Sequence, residues 1–183
     1  LSGMQLSKRM QRLASLVTEE NRLADIGTDH GYIPIYLIQQ KKIQSALAMD
    51  INSGPLSRAK EHIEASGLTT YIETRLSDGL CKLEADEADT VLIAGMGGML
   101  MVSILNGGAH CLDTVKELIL QPQSDIQEVR RWLYRHNYRI IVEDIVFEDG
   151  KYYPMMKAIH GQDEKFSDEE LYYGRTSQQR SKE

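Results

Sequence analysis

The chain has 183 residues, of which 42% are hydrophobic and 26% charged, and these proportions are typical of one soluble globular domain. Its net charge of −6 at pH 7 disfavours a uniformly basic surface for nucleic acid but allows a local basic patch. No apolar run approaches the roughly 20 residues needed to cross a bilayer, and the N-terminus lacks the pattern of a secretory signal. We therefore expect a cytoplasmic protein with no membrane partner. Cys81 and Cys111 stand in no CxxC or Cys/His cluster, which argues against disulfides and structural metal.

Short apolar segments alternate with amphipathic segments along most of the chain. Helical spacing of apolar residues predicts helices near residues 6–17, 32–40, 55–65, 99–105 and 126–136. Apolar and β-branched runs predict strands near residues 22–26, 45–49, 71–76, 90–94, 117–121, 138–147 and 151–159. Glu148-Asp-Gly150 is a hairpin-turn signal between the last two. The alternation predicts an α/β fold with a mostly parallel seven-stranded sheet, helices on both faces and a terminal antiparallel hairpin.

The loop after the first strand reads Asp25-Ile-Gly-Thr-Asp-His-Gly31. Its glycines allow a tight turn and a close approach of the backbone to a ligand, and the following helix N-terminus favours a ligand carboxylate. The GxGxxG pattern of dinucleotide-binding proteins is absent. Asp25 and Asp29 would repel a pyrophosphate, whereas they would suit the ammonium group of a methionine moiety. The alternative is an ordinary turn between strand and helix.

Acids also follow the second and third strands. Asp50 lies about 20 residues beyond the glycine loop, where an acid binds ribose hydroxyls, although it could instead cap the next helix. Asp78 is placed to accept a hydrogen bond from an adenine amino group, although Asp78-Gly79 could simply form a turn. Both acids stand at the carboxyl ends of predicted strands, which is where ligands bind in parallel sheets.

Three glycines stand among the four residues that follow the fourth strand, Gly95-Met-Gly-Gly98. They predict a flat surface of backbone atoms against which a planar base could lie. The alternative is a flexible turn without ligand contact.

The order of these motifs closely resembles the bacterial tRNA (adenine-N1)-methyltransferase family that modifies the D-arm adenine at position 22. The resemblance spans residues 6–159 and is carried by Leu6-Ser-Lys-Arg-Met10, Ala24-Asp-Ile-Gly-Thr-Asp-His-Gly-Tyr32, Asp50, Ser77-Asp-Gly79, Ile93-Ala-Gly-Met-Gly-Gly98 and Leu120-Gln-Pro122. It implies a Rossmann-like class I methyltransferase fold, S-adenosylmethionine as methyl donor and tRNA as substrate.

The resemblance also implies a set of cofactor residues. The family's positions fall on Asp25, Gly27, Asp29, Gly31, Asp50, Asp78 and Gly95, and we expect their neighbours to complete the cofactor site: Thr28, Ile51, Gly79, Ala94 and Met96. We assign Gly97 and Gly98 to the substrate side.

Ring N1 of adenine carries an available in-plane lone pair, so catalysis could rest mainly on aligning N1 with the methyl group. The methylated base is cationic, and a nearby carboxylate would stabilise the developing charge. Asp29 is our candidate for that carboxylate. His30 could shuttle a proton or be a structural residue of the loop.

Two basic clusters are candidates for contact with RNA. The first is Lys8, Arg9 and Arg12 on the opening helix. The second spans the fifth helix and the start of the next strand, and it combines arginines with interleaved aromatics: Arg130, Arg131, Arg135, Arg139, Trp132, Tyr134 and Tyr138. From it we select Arg131 and Arg135 as the candidate RNA contacts. In the alternative interpretation of the second cluster, Trp132, Leu133 and Tyr138 belong to the core and the arginines form a solvated face.

Residues 1–160 are predicted to form the methyltransferase domain with its N-terminal helix, and residues 161–183 the start of a helical extension. The capping box Ser167-Asp-Glu-Glu170 would begin that extension. Family members continue into a longer helical region, whereas residues 175–180 here are polar, so we expect the extension to be truncated or missing. The oligomeric state stays open. Competing hypotheses are a methyltransferase for another substrate and a nucleotide-binding Rossmann-like module without catalysis, and Asp29 disfavours a dinucleotide.

Overall fold

A seven-stranded sheet runs through the computed structural model, which describes residues 5–175. Its strands are β1 Leu23–Ile26, β2 Ala46–Asp50, β3 Ile72–Leu76, β4 Thr90–Met96, β5 Glu117–Pro122, β6 Tyr138–Glu148 and β7 Lys151–His160. The α-helices are α1 Lys8–Leu16, α2 Tyr32–Gln39, α3 Ser53–Ala65, α4 Gly98–Asn106, α5 Ile126–Arg135 and α6 Asp168–Tyr173. A short 3₁₀ turn covers Leu112–Thr114.

The strands are arranged in the order β3-β2-β1-β4-β5-β7-β6. Strands β1 to β5 are parallel to their neighbours, whereas β7 is antiparallel to both β5 and β6. This confirms the predicted Rossmann-like fold with a terminal antiparallel hairpin. The predicted strand and helix limits are close to those observed. The limits differ by at most two residues, at the starts of α1 and α3 and at the end of β4, which continues to Met96 because its pairing with β5 resumes there after a bulge.

The central strands are buried on both faces, as expected where helices cover a parallel sheet. Side chains alternate between the two sides of the sheet with the period of a strand. Val91 and Ile93 belong to the core that includes α4 and α5, whereas Leu92 between them belongs to the core that includes α1 and α2. The sheet therefore separates two hydrophobic cores, and each stabilises a different set of helices.

Helix α1 contacts the far end of the chain. Its N-cap is Ser7, whose hydroxyl accepts a hydrogen bond from the backbone N–H of Met10. The backbone N–H of Lys8 donates to Glu148 on β6 over 2.8 Å, and Arg12 forms an ion pair with Asp144 at 2.7 Å. These polar contacts hold α1 beside the terminal hairpin.

The hairpin turns at two residues with left-handed backbone, Asp149 with φ of 50° and Gly150 with φ of 76°. Such a turn matches the twist of the flanking strands. A buried ion pair between Arg130 and Glu143, 2.8 Å apart, joins α5 to β6. After the hairpin, Ser167 and Glu170 form the predicted capping box at the start of α6. The polar residues 176–180 lie outside the described residues.

The chain enters α4 through a closely packed glycine. A Cβ atom added at Gly98 would lie 2.4 Å from the carbonyl oxygen of Ser124 and 2.5 Å from that of Asp125. The N–H of Gly98 also donates to the Ser124 carbonyl over 2.9 Å. The start of α4 can therefore approach the loop before α5 only with glycine at this position. No helix within residues 5–175 is long and apolar enough to pass through a bilayer.

Gly98→Ala should lower the free energy of unfolding by about 1–3 kcal/mol, because the added methyl group overlaps backbone atoms that cannot rotate away. Gly54→Ala is the matched control in the first turn of α3, where the nearest atom to an added Cβ is 3.9 Å away. It should be neutral or stabilising by up to about 1 kcal/mol. Urea unfolding of the two variants measures the difference, and equal stabilities would contradict the packing argument.

Candidate functional site

The path of the chain through the sheet creates a crevice between β1 and β4. From β1 the chain moves outward to β2 and β3, then returns to β4 on the other side of β1. Ligands bind at such a switch point, at the carboxyl ends of the strands. A cavity of about 280 Å³ lies there, lined by Arg9, Met10, Leu13, Asp25, Gly27, Thr28, Asp29, His30, Tyr32, Ile33, Ala94, Gly95, Met96 and Gln123.

Asp25 ends β1 and is buried in the wall of this cavity. The hydroxyl of Thr28 donates a hydrogen bond to its Oδ2 over 2.9 Å. The pKa of Asp25 is raised to about 7, chiefly because burial disfavours the charged form; the Thr28 hydrogen bond lowers this pKa, and the negative charges of Asp50 and Asp29 add to its rise. A ligand cation placed here would remove part of the cost of ionising this carboxyl.

The loop after Asp25 is fixed by backbone hydrogen bonds. The N–H groups of Gly27 and Thr28 donate to the carbonyl of Met49 over 2.8 and 2.9 Å. Gly27 has φ of 76°, and a Cβ there would lie 2.5 Å from the Cε atom of Met96. The left-handed backbone favours glycine at this position, and the terminal methyl group of Met96 packs directly over it.

Asp50 joins the loop to the end of β2. Its Oδ2 accepts a hydrogen bond from the N–H of Asp29 over 3.2 Å, and its Oδ1 accepts one from the N–H of Asn52 over 3.0 Å. The N-cap position of α3 is occupied by Asn52, not by Asp50. Asp50 is therefore oriented by backbone donors at the open edge of the sheet.

The end of β3 lies beside Asp50, since the N–H of Ser77 donates to the Asp50 carbonyl over 2.9 Å. Asp78 is exposed here, whereas Gly79 is buried with φ of 54°. Ile51 is 57% exposed, which is unusual for an isoleucine next to buried residues. These residues stand at the ends of β2 and β3, joined to the cavity loop by the hydrogen bond from Asp29 to Asp50, and none of them lines the cavity itself.

The side chain of His30 belongs to an aromatic stack. Its ring lies 5.1 Å from that of Tyr32 and 5.6 Å from that of His62. Its Nε2 is 3.8 Å from Oδ2 of Asp29, and its buried Nδ1 has no hydrogen-bond partner within residues 5–175. The stack fixes the ring of His30, and the carboxylate of Asp29 stays 64% exposed at the cavity.

At the end of β4, a bulge separates Gly95 from the regular pairing. The N–H of Gly95 donates to Oε1 of Gln121 over 3.1 Å, and Nη1 of Arg9 donates to the same oxygen over 3.1 Å. The guanidinium of Arg9 also lies over the ring of Tyr153, 5.0 Å from its centroid. Gln121 therefore connects α1 to the end of β4 from a fully buried position.

Two of the four residues in the glycine-rich segment line the cavity, namely Gly95 and Met96. Gly97 lies instead against Ser124, whose Oγ would be 3.0 Å from an added Cβ, and Gly98 packs on the same loop. The flat surface predicted from this segment is therefore shorter than expected, because its second half packs against the loop before α5.

The predicted basic residues are not gathered at one place. Arg9 lines the cavity, whereas Arg12 pairs with Asp144, and Lys8 borders a surface groove between α1 and β6. On α5, Arg131 pairs with Glu128 and neither it nor Arg135 lines the cavity. Trp132, Leu133 and Tyr138 are buried, as in the alternative interpretation of that cluster.

Sequence reasoning missed several residues that line the cavity: Met10, Leu13, Tyr32, Ile33 and Gln123. Gln123 had a positional signal, because it directly follows β5 and thus a strand end at the same edge. The apolar residues of α1 had none, since their periodicity indicates only that they are buried.

Comparison with known proteins gives consistent results. A family model described as a methyltransferase domain matches residues 6–156. The tRNA (adenine(22)-N(1))-methyltransferase of Bacillus subtilis (strain 168) is 41% identical over 161 residues, which cover 88% of this chain and 68% of that protein. The chain belongs to this methyltransferase family. The resemblance found in the sequence motifs is thereby confirmed.

Two solved structures extend the comparison. Streptococcus pneumoniae Sp1610 in complex with S-adenosyl-L-methionine has a TM-score of 0.90 and 38% identity, covering 93% of this chain and 79% of that one. M. capricolum TrmK in complex with S-adenosyl-homocysteine has a TM-score of 0.87 and 34% identity, covering 94% and 76%. Within residues 5–175 of the present chain, no group of three or more His, Cys, Asp or Glu is arranged to hold a metal ion.

The raised pKa of Asp25 predicts how stability depends on pH. Between its ordinary value of 3.8 and about 7, the folded state keeps a proton that the unfolded state has lost. The free energy of unfolding should therefore fall as pH rises through this range, by up to about 1.4 kcal/mol per pH unit from this group alone. Asp25→Asn should remove that contribution, as measured by urea unfolding at several pH values.

Asp78→Asn is the control for this measurement. It changes an exposed acid at the end of β3 and keeps Asp25, so it should retain the wild-type fall in stability. An Asp25→Asn variant with the wild-type pH profile would contradict a buried, proton-binding Asp25.

Proposed function

We propose that this chain transfers a methyl group from S-adenosylmethionine to N1 of the D-arm adenine at position 22 of tRNA. The observation that carries the proposal is the cavity at the switch point, where the acidic loop after β1 faces the end of β4 and Arg9. Membership of the methyltransferase family supports the chemistry. The protein would act in the cytoplasm, and this location remains a prediction.

The residues of the crevice fit S-adenosylmethionine along its length. Asp25, Thr28 and Asp29 offer oxygens for the ammonium group, and the first N–H groups of α2, beyond Gly31, suit the carboxylate. The left-handed turn at Gly27 places the loop backbone in the cavity wall beside Met96. Bound S-adenosylmethionine supplies an electrophilic methyl group on a cationic sulfur.

The ends of β2 and β3, beside the cavity, suit the nucleoside part. Asp50 has two carboxylate oxygens at the end of β2, the position at which an acid binds ribose hydroxyls. The exposed side chain of Ile51 offers an apolar face for a purine, and Asp78 with Gly79 would border its amino edge. Ala94 and Gly95 would form the opposite wall at the end of β4.

The protein's residues have little proton transfer to perform. Because ring N1 of adenine carries a free lone pair, the site need only align it and exclude competing orientations. Positive charge develops on the base, and the exposed carboxylate of Asp29 is placed to stabilise it. The aromatic stack favours a structural role for His30, which keeps its Nε2 atom 3.8 Å from Asp29.

On the substrate side, Arg9 is the basic residue that reaches the cavity. Lys8 and Arg12 would extend a phosphate-binding path along α1, and Arg131 and Arg135 would contact more distant parts of the tRNA. Gly97 and Gly98 would act on the substrate side by holding the end of β4 against the loop before α5. Residues 1–160 would carry the methyltransferase activity, and residues 161–183 would begin a helical region beyond it.

The test is methylation of bulk tRNA with labelled S-adenosylmethionine, followed by nuclease digestion and mass mapping. We expect 1-methyladenosine at position 22 of the D-arm, because the crevice presents the methyl donor to a ring nitrogen without a general base. Methylation of another nucleotide, or an unmethylated adenine at position 22 after incubation with enzyme that binds S-adenosylmethionine, would contradict the proposal.

Asp29→Asn should lower the turnover number about 10- to 100-fold, because the amide cannot compensate the positive charge on the base. The affinity for S-adenosylmethionine should fall less than the turnover number, since the amide oxygen of asparagine can still accept a hydrogen bond from the ammonium group and asparagine keeps the left-handed backbone whose N–H is bonded to Asp50. Single-turnover kinetics and calorimetry measure the two effects.

Asp86→Asn provides the matched control, since Asp86 also has left-handed backbone, with φ of 64°, and lies in the loop before β4. It should retain wild-type turnover. Full turnover of Asp29→Asn with unchanged cofactor affinity would exclude the catalytic role of Asp29.

A further inference from the structure

We propose that Gln123 recognises the target adenine by hydrogen bonds to its Hoogsteen edge, with the carboxamide oxygen accepting from N6–H and the nitrogen donating to N7. This inference rests on the proposed methylation of adenine N1. It assigns base specificity to a residue that sequence reasoning did not select.

The chemistry of the reaction restricts how the base can be recognised. N1 must face the methyl donor, so the enzyme cannot use that atom as a hydrogen-bond acceptor. The neighbouring edge of adenine offers one donor, N6–H, and one acceptor, N7. A glutamine carboxamide carries the complementary acceptor and donor in one plane and pairs with both.

Gln123 is held at the correct part of the cavity. Its backbone N–H donates to the carbonyl of Met96 over 2.8 Å, which fixes it beside the end of β4. Its side chain lines the cavity, and Nε2 lies 3.7 Å from the position that a Cβ of Gly95 would occupy. The carboxamide therefore stands next to Gly95 at the end of β4, inside the cavity that the target base would enter.

The polar groups of Gln123 are available for a ligand. Within residues 5–175 its exposed carboxamide forms no hydrogen bond, although it stands among residues that do. Gln121, two residues earlier, carries the same group, but both its oxygen and its nitrogen form hydrogen bonds within the protein. Its oxygen accepts from Arg9 and Gly95, and its nitrogen donates to the Pro122 carbonyl over 3.3 Å.

Four other polar side chains of the cavity are less suited to pair with both groups of the edge: Asp29, Arg9, Thr28 and His30. The carboxylate of Asp29 is an acceptor and the guanidinium of Arg9 is a donor. The hydroxyl of Thr28 is bonded to Asp25. The ring of His30 has its nitrogens on opposite sides and is fixed in the aromatic stack.

This arrangement also discriminates between purines. Guanine presents O6 where adenine presents N6–H, so the carboxamide oxygen of Gln123 would face another acceptor. Its N1 also carries a proton and has no free lone pair. The same edge of the pocket would therefore select the base that can react.

The proposal is tested with a chemical double-mutant cycle. Wild type and Gln123→Ala are each assayed on tRNA with adenine or 7-deazaadenine at position 22, because 7-deazaadenine has C–H in place of N7. Gln123→Ala should lower kcat/KM on normal tRNA about 10-fold or more. 7-Deazaadenine should lower wild-type kcat/KM about 5-fold relative to its effect on the variant.

The cycle cancels any intrinsic change in reactivity at N1, since both enzymes act on the same modified base. Gln162→Ala is the control glutamine, exposed between β7 and α6 and away from the cavity, and it should behave as wild type. The cofactor affinity and the thermal unfolding temperature of Gln123→Ala should match those of wild type. If Gln123 had a structural role instead, the substitution would lower one of them.

An equal effect of 7-deazaadenine on wild type and Gln123→Ala would overturn the recognition of N7. A loss of cofactor affinity or stability that accounts for the lower kcat/KM would overturn it as well. If wild type leaves N1 of adenine 22 unmethylated on normal tRNA, the proposed function itself fails. If instead wild type methylates N1 but 7-deazaadenine affects wild type and Gln123→Ala equally, the proposed function stands and only the role of Gln123 fails.

Discussion

The common direction of strands β1 to β5 is the constraint on which the site depends. Because they are parallel, all their carboxyl ends lie at one edge of the sheet, and the reversal between β1 and β4 opens a crevice there. The acidic loop after β1, the bulge at Gly95 and the residues after β5 then meet, although they are up to about a hundred residues apart in sequence. No single motif would form this cavity without that pairing.

The second constraint is electrostatic. The sheet edge gathers Asp25, Asp29 and Asp50, and the first of these is buried enough that its pKa rises to about 7. Such an arrangement costs stability in the free protein and is relieved by a cation in the crevice. The backbone donors to Asp50 hold part of the negative charge in place. The gathered carboxylates therefore lower the stability of the ligand-free protein, and a positively charged ligand bound between them would raise it again.

Local patterns predicted the fold and the acidic loop because they reflect local causes. Apolar periodicity places the strands, the loop after Asp25 follows from its glycines, and the hairpin turn follows from Asp149 and Gly150. Arg9 was expected on an RNA-binding face, but its contacts with Gln121 and Tyr153 depend on pairing between distant segments. Likewise, composition could not distinguish the buried Arg130, paired with Glu143, from the exposed Arg135 on the same helix.

The anchoring of α1 on β6 has a consequence for the order of folding. Helix α1 precedes every strand of the sheet in the chain, yet the hydrogen bond from Lys8 to Glu148 spans 140 residues and the ion pair from Arg12 to Asp144 spans 132. Contacts of such high sequence separation form late, because the intervening chain must first lose its entropy. The wall of the cavity contributed by Arg9, Met10 and Leu13 therefore closes only after the last hairpin has docked. During synthesis on the ribosome, the nascent chain would assemble the sheet before it could complete the site.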